Sequence, residues 1–230
     1  MVTHSKIKLE KILKELYFET LPASTKKAFL YCVNMPFFSS GHWYLAGGTA
    51  LALKARHRKS VDLDFFTLYK SFDEKKIEKE LSKDGNWQTT SLDYTTVYGE
   101  FFGAKMSLIA YPFFKPKEKF IKVGEVNILA PEDIAVMKII AISQRGKKRD
   151  FIDLYWLCKN TKSLFEIINN VPKQYKANQN LSHILKSLIF FTDAEDDPMP
   201  EIFFKTTWSE VKKFFKKEVP IITKKLIGLS

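Results

Sequence analysis

The sequence predicts an α+β protein, a mixed sheet flanked by helices and followed by a wholly helical lobe. Three textures along its 230 residues lead there. Apolar residues return at helical spacing over the first 35 or so positions. Short apolar runs cut by turn residues fill positions 42–128, and beyond Pro131 no strand pattern recurs. This order places a boundary near residue 129, with an α/β core over 1–128 and a helical lobe over 129–230.

Each element has its own signal. Ile7, Leu9, Ile12, Leu13 and Leu16 mark a first helix, and Leu21-Pro22 breaks it before a second. Residues 42–46 form a strand that ends at Gly47-Gly48. Val61-Asp-Leu-Asp-Phe-Phe66 alternates with period two, so Asp62 and Asp64 share one face while Val61, Leu63 and Phe65 face the core. Residues 72–81 read as a charged helix, and 95–102, 105–111 and 120–128 as further strands. In the lobe, the acidic run 193–197 reads as a solvated loop. Residues 208–229 read as a Lys-rich helix interrupted at Pro220, whose lysines could follow a nucleic-acid backbone.

Composition narrows the function classes. With 45% hydrophobic and 14% aromatic residues the chain is no disordered segment. No run approaches the about 20 apolar residues of a membrane span. Residues 1–6 carry no signal-peptide pattern, so a cytoplasmic protein is expected, with no membrane partner. Two cysteines make neither a disulfide framework nor a metal-ligand spacing. Lys and Arg total 37 against 26 Asp and Glu, a net charge of +11. Such a charge favours a polyanionic partner but also fits a solvated Lys-rich surface.

The densest chemistry lies between Leu45 and Phe66. A strand followed by Gly47-Gly48 and a helix starting near Thr49 brings backbone N–H groups and a partial positive charge to one spot, which suits phosphate. Thr49 could cap that helix or bond a phosphate oxygen. The basic link Arg56-His-Arg-Lys-Ser60 follows, offering Arg58, Lys59 and Ser60 to a nucleotide, with His57 touching or flanking it. Asp62 and Asp64, two like charges on one face, repel unless a cation lies between them. Two carboxylates plus triphosphate oxygens suit Mg²⁺.

These residues, Leu-Ala-Gly-Gly-Thr-Ala-Leu-Ala-Leu and His-Arg-Lys-Ser-Val-Asp-Leu-Asp-Phe-Phe, closely resemble the AbiEii/AbiGii toxin-type nucleotidyltransferases of bacterial toxin–antitoxin and phage-defence systems, a branch of the polymerase-β-like superfamily. The resemblance resumes at Ala130-Pro-Glu-Asp-Ile-Ala-Val-Met-Lys and Lys148-Arg-Asp-Phe-Ile-Asp-Leu-Tyr-Trp-Leu157, and touches Asp193-Ala-Glu-Asp-Asp-Pro-Met-Pro200. It implies a polymerase-β-like core and an Mg²⁺-dependent transfer of NMP from NTP to an RNA acceptor, such as the tRNA 3′ end, with a possible cognate antitoxin. Alternatives are nucleotidylation of a protein Ser, Thr or Tyr, a non-catalytic RNA-binding module and, more weakly, a phosphodiester hydrolase.

The lobe adds a second cluster. Lys138 is the lone charge in an apolar helix from 134 to 143, and a buried ammonium needs a carboxylate or a phosphate. Helical spacing puts Arg145 on its face. Asp150 and Asp153, at i and i+3, share a face among aromatic neighbours. The resemblance implies a nucleotide-handling Lys138, with one of Asp150 and Asp153 either pairing with it or serving catalysis by orienting the acceptor hydroxyl, while Asp150 also suits a plain helix N-terminus. One departure stands out. Polymerase-β-like enzymes usually add a third carboxylate from a neighbouring strand, and here Ser107 occupies that place.

Overall fold

A computed structural model describes residues 4–177 and 179–226. The chain divides into two compact units, the first ending at Ala130 and the second starting at Pro131. The first unit opens with helices α1 (His4–Lys14), α2 (Ala23–Cys32) and α3 (Pro36–Ser40). Then come β1 (Tyr44–Ala46), α4 (Gly47–Ala55), β2 (Leu63–Thr67), α5 (Glu74–Leu81), β3 (Trp87–Asp93), β4 (Thr96–Phe101), β5 (Ala104–Ala110), β6 (Ile121–Val123) and β7 (Val126–Ile128). The strands form one mixed sheet in the order β3-β4-β5-β2-β1-β7-β6. At its centre β2 runs parallel to β5 and antiparallel to β1, while β1 runs parallel to β7.

The core follows the period-two pattern of the central strands. Leu45, Leu63, Phe65 and Leu108 are fully buried, and Phe38 packs its ring 4.4 Å from that of Phe65. Val61 departs from expectation. It lies before β2 starts and is exposed, because the alternation holds only from Leu63 onward. Asp62 thus leads into the strand and Asp64 lies within it.

Three further elements differ from the sequence reading. Residues 120–128 are not one strand but the β6–β7 hairpin, turned at Gly124 with φ +57. Only glycine fits there, since an added Cβ would meet the Val33 carbonyl oxygen at 2.3 Å. Strand β3 was not anticipated. As an edge strand it is exposed beyond Thr89, so Trp-Gln-Thr-Thr-Ser-Leu-Asp carries no burial alternation to betray it. Helix α5 starts at Glu74, behind the cap Asp73, whose carboxylate accepts from the Lys76 amide at 3.0 Å.

The second unit is helical, with α6 (Pro131–Arg145), α7 (Lys148–Asn160), α8 (Leu164–Gln174), α9 (Leu181–Ser187), α10 (Thr192–Glu195) and α11 (Trp208–Leu226). Its core joins Phe151 of α7 to Phe191, Trp208 and Phe215, with ring centroids 5.2–5.8 Å apart. Helix α11 does not stop at Pro220 but runs through it. Pro220 is exposed, so water can serve the carbonyl that its missing N–H leaves behind. The expected extension of this helix to residue 229, and the first three residues of the expected leader-free N-terminus, lie outside the described residues. No described helix is long and apolar enough to cross a membrane.

Candidate active site

The first unit builds its site where three elements meet. Strand β1 ends at Ala46, and Gly47 turns the chain into α4 with φ +70, a conformation that costs an L side chain about 1–2 kcal/mol. Register places Ala46 opposite Asp64 in β2, and Asp64 beside Ser107 in β5. Asp64 therefore stands directly over the start of α4. Its Oδ2 would lie 3.4 Å from a Cβ on Gly47, and its Oδ1 accepts a hydrogen bond from Ser107 Oγ at 2.6 Å. Asp62 and Asp64 are both half-buried, between the packed interior and solvent.

Gly48 serves a different purpose. A Cβ there would meet Arg58 Nη2 at 2.3 Å and Ser60 Oγ at 3.1 Å, so the absent side chain makes room for a buried guanidinium. Arg58 is 4% exposed and donates from Nη1 to the Lys59 carbonyl at 2.8 Å. Thr49 is not the cap of α4, which begins two residues earlier behind Ala46. Its buried hydroxyl instead donates to the Asp62 carbonyl and lies 2.9 Å from Ser60 Oγ. The Ser60 amide donates to the Thr20 carbonyl at 3.0 Å, and Thr25 Oγ1 donates to the Val61 carbonyl at 2.8 Å. These bonds hold the basic link in place before the two aspartates. Of that link Lys59 is exposed, while His57 is fully buried.

The second unit brings the other candidates together. Lys138 Nζ lies 2.7 Å from Asp150 Oδ1 and 2.6 Å from Asp153 Oδ2, and all three side chains are buried. Arg145 adds Nε to Asp150 Oδ2 at 2.9 Å and Nη2 to Oδ1 at 3.2 Å. Burial alone would push the Asp150 carboxyl up, but Lys138 and Arg145 together hold it below its ordinary value. A carboxylate so stabilised is a weak base at neutral pH, and together with Asp153 it holds the Lys138 ammonium. Sequence reasoning left open which aspartate meets the lysine. Both do.

The acidic run differs from expectation in part. Asp193, Glu195 and Asp196 are exposed as expected, but Asp193 and Glu195 belong to α10, and half-buried Asp197 accepts from the Lys148 amide at 2.9 Å. Nothing local in the sequence marks this contact, because its partners stand 49 positions apart.

The donors at Asp62 and Asp64 are oxygens alone, and Ser107 stands where a third carboxylate would be. Among the described residues no cluster of three or more His, Cys, Asp or Glu forms a ready metal cage. A hard divalent ion that takes part of its shell from substrate and water fits this donor set.

Comparison with known proteins agrees with this geometry. The family described as nucleotidyl transferase AbiEii toxin, type IV TA system, matches residues 28–93 and 104–224. An uncharacterized protein of Aquifex aeolicus is 40% identical over 183 residues, covering 77% of this chain and 86% of its own. Among solved structures, a candidate nucleotidyltransferase from H. pylori superposes with a TM-score of 0.50 at 16% identity, covering 99% of each chain. The nucleotidyltransferase toxin MenT4 of Mycobacterium tuberculosis gives a TM-score of 0.49 at 14% identity, over 88% of this chain and 86% of its own. The core thus has the polymerase-β-like fold that the resemblance implied, and the chain belongs to the AbiEii nucleotidyltransferase toxin family.

Proposed function

We propose that this nucleotidyltransferase moves NMP from an NTP to an RNA acceptor, with the tRNA 3′ end as the first candidate, and that it acts as the toxin beside a cognate antitoxin. The observation that carries the proposal is the register of Asp64 against Ala46, which sets a carboxylate over the Gly47-Gly48 start of α4. Phosphate at the N-terminal amides of α4 would face Asp62 and Asp64, and those carboxylates would hold Mg²⁺. The bound ion would supply Lewis-acid stabilisation of phosphate charge. Gly47 leaves room for close approach, Gly48 makes room for the buried Arg58 guanidinium, and Thr49 and Ser60 keep the link 56–62 in place. Exposed Lys59 offers a cation to the leaving pyrophosphate. Lys138 is assigned to nucleotide handling, with Asp150 and Asp153 holding its ammonium. The net charge of +11 supports a polyanionic acceptor.

Ser107 in place of a third carboxylate favours a second reading, a non-catalytic RNA-binding module. Label transfer from each of four α-labelled NTPs, with Mg²⁺, to total tRNA and to lysate protein separates the readings. Labelled tRNA from the wild type but not from Asp62→Ala/Asp64→Ala is expected. Label on protein alone would move the acceptor to Ser, Thr or Tyr. Salt-sensitive RNA binding without any label would leave the module.

A further inference from the structure

Helix α7 begins badly for a helix. Its N-cap is Lys147, which makes no side-chain capping bond, and Lys148 and Arg149 follow, three cations at the end where the helix dipole is already positive. The acidic run 193–197 supplies the remedy from a distance. Asp197 Oδ2 accepts from the Lys148 amide at 2.9 Å, and Oδ1 accepts from Lys147 Nζ at 3.3 Å. Lys148, itself 7% exposed, turns back to donate from Nζ to the carbonyls of Glu195, at 3.0 Å, and Asp197, with its ammonium 5.5 Å from the Trp208 ring centroid. Glu195 is held in turn by Trp208 Nε1 at 2.9 Å and Lys212 Nζ at 2.7 Å. The bonds are reciprocal, as in a capping box, but they join parts of the chain far apart in sequence.

Asp150 is the third residue of α7, and its amide bonds the Lys147 carbonyl at 2.9 Å. The turn that Asp197 caps is therefore the turn that carries one of the two carboxylates on Lys138. We propose that Asp197 is a positioning residue for Lys138, acting through the first turn of α7, and that Lys148 locks it there. This rests on the assignment of Lys138 to nucleotide handling, but its direct consequence is the placement of one ammonium, which can be observed without activity.

The test uses the full chain labelled with ¹⁵N-lysine, the Lys138 Nζ signal being identified by its loss in Lys138→Arg. A buried, doubly ion-paired ammonium should give a slowly exchanging signal in the wild type. Asp197→Ala should broaden or abolish that signal. Asp197→Asn, which keeps an oxygen for the Lys148 amide, should retain it in part. In label transfer, Asp197→Ala should lower kcat about 10-fold to 100-fold with KM for NTP little changed, and Asp197→Asn should recover part of the loss. An unchanged Lys138 signal in folded Asp197→Ala overturns the proposal. If that variant does not fold, Asp197→Asn and Lys148→Met decide, and wild-type signals in both overturn it equally. Should the wild type transfer no nucleotide, the functional reading falls while the Nζ signal still decides the latch.

Discussion

Two pairs of aspartates, one in each unit, show how backbone geometry assigns different work to the same side chain. Asp62 and Asp64 sit two apart at the start of a strand, so their carboxylates stay half-buried at the end of the sheet, above a helix N-terminus. Asp150 and Asp153 sit three apart on a helix, so both turn inward, fully buried, onto the ammonium of Lys138. The first pair can take a cation from solution because solvent reaches it. The second holds a cation supplied by the chain, and desolvation makes that partner obligatory. One pair is built for exchange and the other for permanence.

The sharpest way to break this contrast is to remove the internal cation. Lys138→Met leaves Asp150 and Asp153 buried with Arg145 as the remaining cation described at the cluster. The expected loss is about 3–5 kcal/mol, read by denaturant unfolding. Adding Asp153→Asn should return part of it, because one uncompensated charge leaves with the substitution. If Lys138→Met unfolds like the wild type, the cluster is not the internal ion lock described above.

The first pair should respond the other way. Asp64→Asn keeps shape and an acceptor for Ser107 but weakens the pair's hold on a cation. Nucleotide transfer should fall at least about 100-fold, while stability changes by less than about 1 kcal/mol. A large loss of stability with activity intact would reverse the roles assigned to the two pairs.

Acid probes the buried pair. Asp150 has a lowered carboxyl in the folded chain, so the unfolded chain binds the proton more readily. Its contribution is present above the ordinary carboxylate value of about 4 and is lost as pH falls through the lower folded value. Unfolding followed against pH should steepen below about 4 in the wild type and less so in Asp150→Asn. Equal slopes would remove Asp150 from the acid response.

How legible each region was follows from the same geometry. The strand, the Gly-Gly turn and the two aspartates could be read because their partners are set by local spacing, and even Ser107 was found at the place expected for a third carboxylate. The helical order of the lobe was legible too. Edge strand β3 was not, since an edge needs no apolar alternation, and Val61 was misplaced because the alternation begins two residues later. The acidic run was read as solvated loop because a carboxylate's sequence neighbours cannot reveal an amide 49 positions away. Lys138 was legible as a charge in need of a partner. That it takes both aspartates depends on how α6 packs on α7.

The smallest effects test whether the exchange-ready pair is itself precisely held. Gly48→Ala sets a Cβ 2.3 Å from Arg58 Nη2, and a guanidinium that is 4% exposed has little room to retreat. About 1–3 kcal/mol of strain is expected, with transfer reduced because Arg58 and Ser60 anchor the link to Asp62. Ser107→Ala removes one hydrogen bond to Asp64, about 1 kcal/mol, and leaves the strand register untouched. Its value lies in direction. If Ser107 merely orients Asp64, the alanine variant should need more Mg²⁺ for half-maximal transfer but reach a similar plateau. If Ser107 takes over work that a third carboxylate would do, the plateau itself falls and added metal does not restore it. A titration of rate against Mg²⁺ in wild type and variant distinguishes an orienting hydroxyl from a participating one.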